Sequence, residues 1–123
     1  MTADDLHLAV LLVNSMDGGV AWYREALRGS GHPEIAEALT ERDLHGLKEL
    51  RALLRLVFSA TTLEEAAEIV NPMLTRGEAV PQLVVEDDGR PALRVAPHAT
   101  GLAALQARLP AAAAELIATA PAY

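Results

Sequence analysis

The side chains able to do chemistry in this 123-residue chain are few and poorly grouped. Histidines stand at positions 7, 32, 45 and 98, whereas a hydrolytic zinc site needs two imidazoles one helical turn apart and a third ligand. There is no cysteine, which excludes disulfides, thiolate metal sites and cysteine nucleophiles. The glycines at 18, 19, 29 and 31 lack the lysine and the strand-to-helix setting of a phosphate loop. Asp4-Asp5 and Asp87-Asp88 are paired carboxylates, but the first pair stands where a helix cap belongs and the second where a turn belongs. Ser15 and Ser59 have no His and Asp partners at a recognisable spacing. The pattern predicts a non-catalytic chain with no metal and no cofactor.

Two polar features border apolar sequence. Asn14 follows the run LAVLLV, which predicts an amide at or near the core, hydrogen-bonded there. It either ends a helix and ties down the Asp17-Gly18 turn or contacts a ligand. The second feature is the cationic flank Lys48, Arg51 and Arg55 on the longest helix signal, residues 44–58. These stems can snorkel along a solvated face. Arg51 falls between Phe58 and Leu44 on the helical wheel and is the one expected inside, where it needs a carboxylate or a bound anion.

Helices must carry these groups. Thr2 and Asp5 form a capping pattern ahead of a helix over 6–16; a short buried strand is the competing reading of LAVLLV, and the cap favours the helix. A second helix follows over 20–28, then a loop at 29–33 and a short helical piece at 35–39. Thr40 and Asp43 open the central helix, whose Leu47, Leu50, Leu53, Leu54, Val57 and Phe58 form a wide apolar arc. Thr62 and Glu65 open the next, with Leu63, Ala66, Val70, Met73 and Leu74 at helical spacing. Pro72 predicts a kink or a break there, since an interior proline costs about 3 kcal/mol.

Over 80–96 the pattern changes to strand, turn, strand: LVVE, DDGR, PALRV. A two-residue type I′ turn at Asp88-Gly89 predicts pairing of Asp87 with Arg90, Val84 with Leu93 and Glu86 with Pro91. An isolated hairpin is marginal, so this one must lie on helices or gain a third strand. A last helix is expected over 100–120, irregular at Pro110. The fold class is therefore mainly α with one β-hairpin (α+β). It reads as one orthogonal multi-helix domain over 1–123, packed around a central helix at about 41–60, with the hairpin at about 80–96.

Composition narrows the function. The chain is 51% hydrophobic but only 3% aromatic, so its core is Leu, Ala and Val, which suits close helix packing. A formal net charge of -7 opposes binding to phosphate backbones. The acidic start is unlike a secretory leader, and residues 6–13 are too few to span a bilayer, so a cytoplasmic protein is expected.

The segments VNS at 13–15, ELRALLRLVF at 49–58 and LVVEDDGRPALRV at 83–95, in that order, resemble the ABATE domain. That domain is the N-terminal region of bacterial proteins described as stress-induced transcription regulators, and the likeness spans residues 6–120. Asn14 matches the family's Asn, Ser15 replaces its Thr, and Arg51 matches its helix arginine. Pro72 departs from the family pattern. The family's C-terminal CGNR-type zinc finger has no counterpart in these residues, so DNA contact is not expected of this domain alone. The resemblance implies a sensory or interaction domain of a stress-responsive regulator. The leading expectation is a pocket of Asn14, Ser15, Arg51 and Arg55 for a small anionic ligand. The alternative is a protein-interaction or homodimerisation module, without a ligand, that uses the Ala-rich last helix.

Overall fold

A computed structural model describes residues 3–15 and 19–119. Among them lie α1 (Ala3–Val13), α2 (Val20–Gly29), α3 (Pro33–Ala38), α4 (Leu44–Ser59), α5 (Leu63–Arg76), β1 (Pro81–Val85), β2 (Pro91–Val95) and α6 (Gly101–Thr119). The architecture is mainly α with one antiparallel hairpin. Thr2, the expected cap of α1, and the Asp17-Gly18 turn lie outside the described residues.

Two of the expected caps are formed. The Asp43 carboxylate accepts the Thr40 N–H at 2.8 Å, and a short 3-10 turn, Glu41–Asp43, then leads into α4. Thr62 Oγ1 accepts the Glu65 N–H at 3.1 Å and starts α5. Each satisfies a donor that the first helical turn leaves unpaired, worth about 1 kcal/mol.

Helix α4 buries Leu47, Leu50, Leu54 and Val57 and packs on α1, α5 and α6. Helix α6 touches those helices and also α3 and β2. Its buried side is largely alanine: Ala104, Ala107, Ala111, Ala112 and Ala113. Small side chains let several helices approach one axis closely. The chain's own core takes up these alanines.

Neither proline breaks its helix. Helix α5 runs through Pro72 without a break, and α6 runs through Pro110. Pro72 is exposed, so the Glu68 carbonyl that loses its helical donor sits on the wet side. Pro110 is buried, and the Gln106 carbonyl it deprives lies against Gly77 at the end of α5. A Cβ built on Gly77 would stand 2.3 Å from that oxygen. The proline and the glycine together fix where α5 meets α6.

The hairpin register differs from the predicted one by a residue. Leu83 pairs with Leu93, Val84 with Ala92 and Val85 with Pro91. The Glu86 N–H donates to the Arg90 carbonyl at 2.8 Å and the Gly89 N–H to the Glu86 carbonyl at 2.9 Å, which closes a three-residue loop, Asp87-Asp88-Gly89. Gly89 takes φ +82, whereas a type I′ turn needs Asp88 at positive φ as well. Asp88 instead accepts the Arg90 N–H on Oδ1 at 3.0 Å. The register gathers Val84, Glu86, Ala92 and Arg94 on a half-buried inner face. It leaves Leu83, Val85 and Leu93 outside, 72%, 75% and 61% exposed. Val95 anchors β2 against Ala107 and Ala111 of α6, so the hairpin lies on a helix, as its size requires.

Candidate functional site

Of the four residues singled out by sequence, Ser15 and Arg55 meet at the end of α1. Ser15 is buried, and its Oγ donates to the Leu12 carbonyl at 2.6 Å. Arg55 reaches across from α4, donating from Nε to the Val13 carbonyl at 2.7 Å and from Nη2 to the Ser15 carbonyl at 2.8 Å. Helix α1 has no basic residue in its own last turn. Arg55 therefore supplies both the donors and the positive charge that a helix C-terminus requires.

Asn14 is not in the core; it is exposed. Asp5, Leu8, Leu12 and Ser15 form the inward stripe of this segment, with Ala9 beside them, while Val10 and Asn14, one turn apart, face out. The run LAVLLV is apolar on the outer side too, which hides the stripe from pattern reading. Arg51, one turn before Arg55, is half-buried, and Lys48 is exposed. The fold thus joins Ser15 to Arg55 and turns the Asn14 side chain to solvent.

A second cluster was not singled out from the sequence. Beneath the inner face of the hairpin is a cavity of about 450 Å³. Its walls come from Asp5 of α1, from Gly31, His32 and Glu34 around the start of α3, from Val84, Val85, Glu86, Arg94 and Val95 of the hairpin, from Pro97, and from Arg108 of α6. Arg94 forms an ion pair with Glu86 across the hairpin. His32 Nδ1 stands 3.9 Å from Glu34 Oε1. Arg108 Nε donates to the Val95 carbonyl at 3.4 Å. Asp5 is only 8% exposed. Burial raises its carboxyl above the usual carboxylate range, against the opposing charges of Arg108, then His32 and Arg94.

A signal for two of these residues was present in the sequence. Arg108 lies three residues after Leu105 and four before Ala112, and Asp5 three before Leu8 and four before Ala9. Both therefore sit on apolar stripes, where a charged side chain is unexpected. In the sequence the Asp5 carboxyl is accounted for by the cap, and Arg108 is not singled out.

A larger, shallower hollow of about 700 Å³ lies between the end of α5 and the base of the hairpin, lined by Leu74, Glu78, Gln82, Pro97 and His98 among others, and two smaller ones carry less chemistry. One, of about 20 Å³, is lined by Leu8, Leu12, Tyr23, Leu27, Leu105 and neighbouring apolar groups. The other, about 300 Å³, lies among α4, α5 and α6 and is lined by Leu50, Leu53, Met73 and Pro110, with Glu49, Arg76 and Gln106 also contributing. Among the described residues no group of three or more His, Asp or Glu is placed to hold a metal ion. No described helix is long and apolar enough to cross a membrane.

The model of the ABATE family, described as "Putative stress-induced transcription regulator", matches residues 6–120, nearly the whole chain. No curated protein matches the chain.

Proposed function

The chain belongs to the ABATE family, and we propose that it is the non-catalytic, signal-receiving domain of a stress-responsive transcription regulator in the cytoplasm. In this reading a small molecule binds in the cavity beneath the hairpin. The observation that carries it is the convergence of Asp5, His32, Arg94 and Arg108 from separate segments on one cavity of about 450 Å³, a size usual for small-molecule sites. Drawing charged groups toward a half-buried volume costs desolvation, and a ligand that pairs with them offsets that cost. The net charge of -7 agrees with leaving DNA contact to another part of the regulator. Ser15 and Arg55 then serve chiefly to fix the end of α1 against α4.

Thermal-shift screening with a metabolite library tests this reading. It expects compounds that stabilise the wild type and Arg51→Ala but not Arg108→Gln. A compound whose effect survives Arg108→Gln and disappears in Arg51→Ala or Asn14→Ala moves the site to the end of α1. A library without any stabilising compound refutes ligand sensing.

A second reading, association through the hairpin, draws on the exposed row Leu83, Val85 and Leu93. Contiguous apolar surface of this kind marks interaction sites more often than plain solvent-facing sheet. Sedimentation across the micromolar range separates the two readings: a monomer throughout counts against self-association.

A further inference from the structure

We propose that Arg108 is an anion anchor. The cavity takes a small organic acid whose carboxylate is gripped by the Arg108 guanidinium and whose short apolar body lies against Val84 and Val95. This rests on the reading of that cavity as the ligand site.

Arg108 differs from the other charged groups around the cavity. Arg94 is neutralised by Glu86, and His32 has Glu34 beside it. Arg108 spends only Nε, on the Val95 carbonyl, and holds no ion pair among the described residues. Its two terminal nitrogens keep four N–H donors in a planar fork, the geometry that fits a carboxylate with two parallel hydrogen bonds. The side chain is half-buried, on a stripe otherwise made of Ala104, Leu105 and Ala112, so its charge is poorly served by water.

Asp5 lines the same cavity, where burial raises its carboxyl from its ordinary value against the charge of Arg108. Glu34 and Glu86 also line the cavity. A phosphate dianion meets roughly twice the repulsion from them that a carboxylate does, and it gains nothing from the valines. One open guanidinium beside the Val84 and Val95 side chains fits a monoanion with a short hydrocarbon tail.

Butyrate titrated at constant ionic strength, followed by amide chemical shifts, is the test. The expected result is saturable binding that moves resonances of the hairpin and α6. Butyramide, the neutral isostere, should leave them in place. Arg108→Gln should weaken butyrate binding at least tenfold, Arg108→Lys less, and Arg76→Gln, which lines the other cleft, not at all. Equal responses to butyrate and butyramide overturn the inference and need no variant that folds. So does undiminished butyrate binding by folded Arg108→Gln. Phosphate that saturates in an Arg108-dependent way, with butyrate inert, overturns the carboxylate class but leaves the cavity as the ligand site. Library compounds that bind at the cavity regardless of Arg108 likewise overturn only the anchor. Failure of every compound overturns both.

Discussion

Replacing Gly77 by alanine adds one methyl group where α5 ends on α6. The new Cβ would stand 2.3 Å from the Gln106 carbonyl oxygen and 2.9 Å from its carbon. A carbon–oxygen contact closer than about 3.3 Å is already repulsive, so α5 and α6 must separate locally by about 1 Å. Both partners are backbone, so no side-chain rotation relieves the clash. Overpacking of this kind costs about 1–3 kcal/mol. Gly77 has φ -79 and ψ -4, a conformation open to alanine, which returns about 0.4–1 kcal/mol by restricting the unfolded chain. The net expectation is a loss of about 1–2 kcal/mol, or a melting temperature lower by roughly 4–8 °C for a chain of this size.

Gly46→Ala is the control. Its Cβ would meet Leu102 Cδ2 at 2.5 Å, but the next atom is at 3.6 Å, so one rotation of a flexible side chain clears it. Alanine inside a helix is also favoured over glycine by about 1 kcal/mol. Urea unfolding followed by far-UV circular dichroism should rank Gly46→Ala at or above the wild type and Gly77→Ala below it. A Gly77→Ala protein as stable as the wild type, or a Gly46→Ala protein less stable than Gly77→Ala, refutes the argument that backbone contact decides the outcome.

Arg55→Ala should cost about 1–2 kcal/mol by stripping the Val13 and Ser15 carbonyls of their donors, with faster amide exchange in the last turn of α1; Arg55→Lys should recover only part, lacking the fork. Asp5 offers a pH signature. Its folded-state carboxyl titrates above its unfolded value, so between the two the folded protein binds more protons and stability falls as pH rises. Asp5→Asn removes that slope, and its melting temperature should gain on the wild type from the ordinary carboxylate range up to neutral pH; a constant difference contradicts this. The Tyr23 hydroxyl is buried without a hydrogen-bond partner among the described residues. Tyr23→Phe should therefore be neutral or stabilising by about 1 kcal/mol. A clear loss of stability would mean that the adjoining cavity of about 20 Å³ holds a water that serves the hydroxyl.

Helix positions were legible because apolar residues recur at helical spacing and Thr40 and Thr62 mark two starts. The existence of the hairpin was legible from DDGR between two β-rich runs, but its register was not. Asp88-Gly89 and Asp87-Asp88-Gly89 are both good loops, and the choice falls to the bond between Asp88 and the Arg90 N–H. Which arginine of α4 meets α1 depends on where α1 stops, a tertiary fact that a helical wheel cannot contain. The apolar run LAVLLV concealed which side faces inward, so Asn14 was placed inside and Asp5 was read only as a cap. Arg108 was readable from its spacing to Leu105 and Ala112, but the cavity it faces is assembled by four segments far apart in sequence.

The packing of α1 on α6 has a consequence for synthesis. Helix α1 packs on α4 and, more extensively, on α6, so the part of its apolar face that meets α6 stays uncovered until α6 has emerged. Helices α4 and α5, neighbours in sequence and in space, can close first at little entropic cost. A nascent chain stalled before α6 leaves that part of α1 open, the kind of surface that chaperones retain and that aggregates when they do not. Docking of α6 is the step that ends this exposure.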